Sequence, residues 1–102
     1  MSPPGPPAQI VAFIDHAYAA LGDADYYQVL GLERDAAAPQ IRAAYYKAAS
    51  RLHPDLYGDG LSPQHKIMLT AVYSRVVEAY KILTDGKRRE TYDEGLAKGT
   101  LR

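Results

Sequence analysis

The side chains in this chain best suited to chemistry stand together at His53-Pro54-Asp55. An imidazole that titrates near neutrality and a carboxylate lie two positions apart. The proline between them has a fixed φ and no amide hydrogen, and it pushes His53 toward extended backbone. One use of such a pair is general acid–base catalysis. That use needs an activated nucleophile, a phosphate-binding glycine loop or a cofactor site, and the surrounding sequence offers none of them. The other use is a rigid polar tip offered to a second molecule. A simple helix stop requires only the proline, so fold stability asks for neither His53 nor Asp55. The histidines His16, His53 and His65 lack the i, i+4 spacing of helical metal ligands, and no metal or cofactor is expected.

The composition limits the partners. At 102 residues, 47% apolar and 24% charged, the chain is long enough for one modest core and close to globular averages. Net charge is zero, yet residues 1–33 carry four acidic groups and no Lys or Arg. The remainder therefore holds all twelve basic groups against eight acidic ones. A surplus of four is too weak a field for general nucleic-acid binding, although it can steer the chain toward an acidic protein surface. The short basic run Lys87, Arg88, Arg89 reads as a solvated helix face for the same reason. There is no cysteine, and neither a signal-like N-terminus nor an apolar run of membrane-spanning length is present. A cytoplasmic protein with no nucleic-acid or membrane partner is expected.

The elements that position the tripeptide are helical. Residues 1–7 are rich in proline and read as a disordered tail. Over 8–22, Ile10, Phe13, Ile14, Ala17, Tyr18 and Leu21 recur at helical spacing, with Gly22 as the expected stop. Asp23 or Asp25 caps a short helix bearing Tyr26, Tyr27, Val29 and Leu30, which Gly31 ends. A third helix begins near Ala36 or Ala38 and reaches Leu52. Asp35 is a good cap by type, but Pro39 equally favours the later start. Its core face carries Ile41, Ala44, Tyr45, Ala48 and Leu52, and its outer side Ala43, Tyr46, Lys47, Ser50 and Arg51, with Arg42 toward the other edge.

Residues 56–61 form a turn-rich loop, and Ser62-Pro63 is an N-cap followed by a proline at the first helical position. A long fourth helix then buries Leu69, Val72, Tyr73, Val76, Tyr80 and Leu83. Thr84-Asp85-Gly86 breaks it before a short basic helix over about 87–96 with Tyr92 as its core contact, and residues 97–102 fray. No stretch alternates with period two. The expected fold is an all-α small helical bundle whose two long helices form an antiparallel hairpin, with His53-Pro54-Asp55 at one tip beside a positive edge.

With these elements placed, the sequence resembles a J domain, the module of DnaJ/Hsp40 co-chaperones of Hsp70. Asp25-Tyr26-Tyr27-Gln28-Val29-Leu30-Gly31-Leu32 resembles the family's opening signature and Ile41-Arg42-Ala43-Ala44-Tyr45 its second helix. His53-Pro54-Asp55 is similar to its hallmark tripeptide, and Glu78-Ala79-Tyr80-Lys81-Ile82-Leu83-Thr84-Asp85 to the end of its third helix. Lys87-Arg88-Arg89 and Tyr92-Asp93 resemble its last helix. The likeness spans 25–93, inside an expected domain of 23–96, so the helix over 8–22 is an addition.

The resemblance implies that a basic helix docks on an acidic surface of ATP-bound Hsp70 while the tripeptide promotes ATP hydrolysis in the partner. The chain itself is then an effector and not an enzyme. Carried over by position, the Hsp70-binding residues are Arg42, Tyr46, Lys47, Arg51, His53, Pro54 and Asp55. Tyr46 stands where the family usually carries a basic residue, which thins the positive face. The segment from Asp55 to Tyr73 is longer than usual, and Leu56 replaces a customary basic residue. The alternative keeps the fold and drops the activity: a J-like helical adaptor that binds a partner without stimulating an ATPase. The proline tail and single module suggest either a fragment of a longer protein or a very small co-chaperone. The extra helix must bury its stripe against the module, another part of a larger protein or a second copy.

Overall fold

The computed structural model describes residues 8–53, 56–57 and 60–99. The expected tail over 1–7, the last three residues of the expected frayed end, and Pro54 and Asp55 lie outside the described residues. Five helices and no strand are present among those described: α1 (Ala8–Ala20), α2 (Tyr26–Val29), α3 (Ala38–Leu52), α4 (Pro63–Leu83) and α5 (Gly86–Ala97).

Local chemistry explains the boundaries. Asp25, not Asp23, caps α2: its carboxylate accepts the Gln28 amide at 2.7 Å while Gln28 Oε1 accepts the Asp25 amide at 2.9 Å. Beyond α2, Gly31 takes φ 72°, and the amides of Gly31 and Leu32 donate back to Gln28 O and Tyr27 O. That pairing is a left-handed helix termination which a side chain at Gly31 would strain. α3 starts at Ala38 with Pro39 in the first turn, where no amide is needed, and Gln40 Oε1 accepts the Ala37 amide at 2.7 Å. Asp35 is therefore not the cap. Ser62 and Asp85 accept the first free amides of α4 and α5.

α4 is the axis of the bundle, and α1, α2, α3 and α5 all pack on it. It buries Leu69, Val72, Val76, Ala79 and Leu83 at spacings of three and four, a seam long enough to serve several neighbours. α3 runs antiparallel to it. Tyr45, in the middle of α3, stacks on Tyr80 at 4.1 Å, whereas His53, at the end of α3, meets the earlier Tyr73 at 5.3 Å. Ile41 and Leu52 are the fully buried ends of α3, and Ala44, Tyr45 and Ala48 lie half-buried between them.

α5 is fastened to α2 by polar groups inside an aromatic setting. The Tyr92 ring stacks on Tyr26 at 4.5 Å, and its hydroxyl accepts the Tyr26 amide at 2.8 Å. Arg89 Nε donates to the buried Tyr27 hydroxyl at 2.9 Å, which itself donates to Asp93 at 2.5 Å. A second Arg89 nitrogen donates to Ala36 O at 2.7 Å. Arg89, expected on a solvated basic face, is in this position a structural clamp.

α1 packs against α4 of its own chain, which supplies one of the three burials open for its stripe. Ile10 and Ile14 are buried and Val11, Ala17 and Leu21 partly so. Phe13 and Tyr18, expected in the same stripe, are 38% and 45% exposed. Packing on α4 uses a narrow seam through positions 10, 14, 17 and 21 and leaves Phe13 and Tyr18 on its flanks. Gly22 is not a left-handed stop, since positive φ among the described residues occurs only at Gly31 and Gly99. α5 likewise continues through Gly95 and ends before Gly99, at φ 74°. No helix among the described residues is long and apolar enough to cross a membrane.

Candidate functional site

His53 is the C-cap of α3. Its backbone is extended, at φ −60° and ψ 125°, as the following proline requires, while its amide still donates to Ala49 O at 3.1 Å. The side chain is exposed and its ring meets the Tyr73 ring edge-on at 5.3 Å. Packing against Tyr73 limits the orientations open to the imidazole. Across the tripeptide, the Leu56 amide donates to His53 O at 3.0 Å. The Tyr57 hydroxyl donates to the backbone carbonyl of Arg51, and Leu61 is buried in the core. Those contacts tie the far side of the tip to the last turn of α3 and to α4.

Arg42, Tyr46, Lys47 and Arg51 are all on the exposed side of α3. Lys47 and Arg51 follow one another at one turn's spacing and lead toward His53; Arg42 and Tyr46 form a second line beside them. The charge environment separates these cations from most arginines elsewhere. Arg34, Arg75, Arg88 and Arg89 each sit within ion-pair distance of a carboxylate, whereas none of Arg42, Lys47 and Arg51 has such a partner among the described residues. An edge of unneutralised positive charge therefore runs along α3 to its cap.

Tyr46 is 62% exposed and leans on two other rings, at 5.5 Å from Tyr45 and 6.5 Å from Tyr80. Desolvation pushes the Tyr45 hydroxyl above its ordinary pKa, and the neighbouring Tyr73 adds to the rise. The Tyr45 hydroxyl therefore stays neutral at physiological pH and adds no negative charge beside the cations. Two members of the surroundings are not evident from the sequence alone. Helical spacing places Tyr73 on the core face, and its contact with His53 follows from the antiparallel pairing of α3 and α4. Spacing places Phe13 on the core stripe as well, yet the Arg51 guanidinium carbon lies over its ring, 5.2 Å from the centroid. Of the other two histidines, His16 is exposed, and His65 engages Ser62 and Asp15 at 2.9 and 2.8 Å. No group of three metal-ligating side chains occurs among the described residues.

Comparison with known proteins gives a family match over most of these elements. The family model described as the DnaJ domain matches residues 25–93, from the cap of α2 to the Asp93 that receives the Tyr27 hydroxyl. DnaJ homolog subfamily B member 3 of Mus musculus is 44% identical over 69 residues, covering 68% of this chain and 26% of its own length. DnaJ homolog subfamily B member 6 of Bos taurus is 42% identical over 79 residues, covering 74% and 31%. Chaperone protein DnaJ 1 of Cutibacterium acnes is 41% identical over 71 residues, covering 70% and 16%. The chain thus spans less than a third of the length of each of these relatives. α1 precedes the residues that the family model matches.

Proposed function

The chain belongs to the DnaJ-domain family, and on that premise we propose that it is an Hsp70 co-chaperone module that docks through α3 and stimulates ATP hydrolysis in its partner. Support comes above all from the unneutralised cations Arg42, Lys47 and Arg51, which lead along α3 to a tip whose first residue is held by its cap and by Tyr73. Such an edge suits an acidic protein surface, because long-range attraction brings the partner in and orients it before short-range contacts form.

In this mechanism the module is not an enzyme. The cations of α3 dock first, and Tyr46 lies within that face where the family usually has a charge. His53 and Asp55 then make directional hydrogen bonds to the partner, Asp55 as a charge-assisted acceptor, while Pro54 fixes the angle between them. The free energy of these contacts favours the partner conformation that hydrolyses ATP, so the module acts by shifting a population in the partner. No metal or cofactor enters. The cytoplasm is the proposed compartment.

The test is single-turnover ATP hydrolysis by an Hsp70 from the same source, with Asp55→Asn and His53→Gln compared against the parent. Both variants should keep the parent's helicity and melting temperature and lose stimulation by at least about tenfold, the factor that ~1.4 kcal/mol of lost coupling produces. Stimulation equal to the parent's in both variants refutes the proposed role of the tripeptide. Binding without stimulation by the parent identifies a helical adaptor instead.

A further inference from the structure

α1 lies outside the residues that match the family, yet it reaches the edge along which docking is proposed. Its buried seam through Ile10 and Ile14 fixes the helix on α4. The His65 ring, 2.8 Å from the Asp15 carboxylate, adds a polar tie between α1 and the first turn of α4. The seam leaves Phe13 on the flank, and there its ring lies under Arg51. Between α1 and α3 runs an open groove of about 780 Å³ whose walls include Phe13 and Ala17 on one side and Ala44, Lys47, Ala48 and Arg51 on the other. The Phe13 ring is the α1 side chain that lies against the last basic residue before His53.

We infer that Phe13 is a positioning residue for Arg51, and that α1 thereby supports the partner-docking surface as well as forming part of the core. The inference rests on the proposed docking of α3. A guanidinium over an aromatic ring offers its face to the π cloud and keeps its in-plane N–H groups available for carboxylates. Arginine otherwise loses several rotamers when it pairs with a partner, and a ring that holds it beforehand removes part of that cost. Phe13 thus acts through Arg51 and requires no contact of its own with the partner.

The test is a double-mutant cycle on the whole 102-residue chain, with the concentration giving half-maximal ATPase stimulation as the readout. Phe13→Leu keeps an apolar side chain and removes the π face; Phe13→Trp keeps and enlarges it. Phe13→Leu should raise the half-maximal concentration about three- to tenfold, the cost of ordering one free arginine, with the maximal rate and melting temperature unchanged. Phe13→Trp should match the parent. In an Arg51→Ala background, Phe13→Leu should have no further effect. The Arg51 side-chain protons should also show ring-current shifts in the NMR spectrum that vanish in Phe13→Leu. Equal half-maximal concentrations for Phe13→Leu and parent overturn the inference, as do effects of Phe13→Leu and Arg51→Ala that simply multiply. If the parent itself gives no stimulation, the proposed function falls and the inference with it. If the parent stimulates and only the cycle fails, the inference alone falls.

Discussion

Tyr27 is fully buried, donating to Asp93, accepting from Arg89 and lying beneath the Arg89 guanidinium at 5.4 Å. Its hydroxyl is pushed up from 10.0 to about 12, first by desolvation and then by the hydrogen bond to Asp93, with Arg89 opposing. Tyr27→Phe leaves Arg89 Nε and one Asp93 oxygen without this partner. It should cost about 1–2 kcal/mol, since Asp93 retains access to water. The pH dependence has a definite sign. Below the unfolded value of 10.0 both states are protonated and the parent keeps its full advantage over the variant. As pH rises toward about 12 the unfolded chain releases a proton that the folded chain retains, so the advantage shrinks through that window. Urea unfolding of parent and variant across this range measures it, and a constant difference contradicts the assignment. At this scale the sequence displayed the residue types and little of their work. His53, Arg42, Lys47 and Arg51 could be singled out by type and spacing. The Tyr27–Arg89–Asp93 cluster joins residues more than sixty positions apart, and periodicity carries no information about such pairs.

Helix α1 tests how a seam is chosen. Helical spacing alone places Ile14 and Tyr18 in one stripe, being four residues apart, but packing on α4 leaves Ile14 0% and Tyr18 45% exposed. Ile14→Ala should therefore cost about 2–5 kcal/mol, the range for truncating a buried branched side chain. That lowers the melting temperature by roughly 4–8 °C per kcal/mol in a domain of this size. Tyr18→Ala should stay within about 0.5 kcal/mol of the parent. Equal losses in thermal unfolding would place the stripe of α1 as periodicity reads it and not as the structure packs it. The other elements were legible where a cap or breaker spoke unambiguously: Ser62-Pro63, Gly31 and the Thr84-Asp85-Gly86 break all mark real boundaries. Where two local signals competed, tertiary context decided. Asp25 prevailed over Asp23 because Gln28 completes a reciprocal cap, and α5 continues through Gly95 because Tyr92 and Leu96 on either side of it pack on the core.

Across the whole molecule, charge is segregated although it sums to zero. The first 33 residues hold only acidic groups, and the surplus of basic groups lies beyond them. Several of those basic groups are consumed internally: Arg34, Arg75, Arg88 and Arg89 pair with carboxylates of the fold. Among the cations outside those pairs, Arg42, Lys47 and Arg51 stand together on α3, where Tyr46 interrupts the run. Its ring is 62% exposed and its neighbours are Tyr45 and Tyr80, so the fold does not depend on it strongly. Tyr46→Lys should leave the melting temperature nearly unchanged and strengthen docking on an acidic partner. Most of the gain should appear in the association rate, because steering acts before contact. It should also shrink as ionic strength rises, since the screening length falls from about 10 Å at 0.1 M salt to about 3 Å at 1 M. Association kinetics with Hsp70 at several salt concentrations distinguish two roles for the tyrosine. A faster, salt-sensitive association of the lysine variant means that Tyr46 merely thins the field. A slower or unchanged one at low salt means that the ring itself is a contact, and the electrostatic account of α3 is then insufficient.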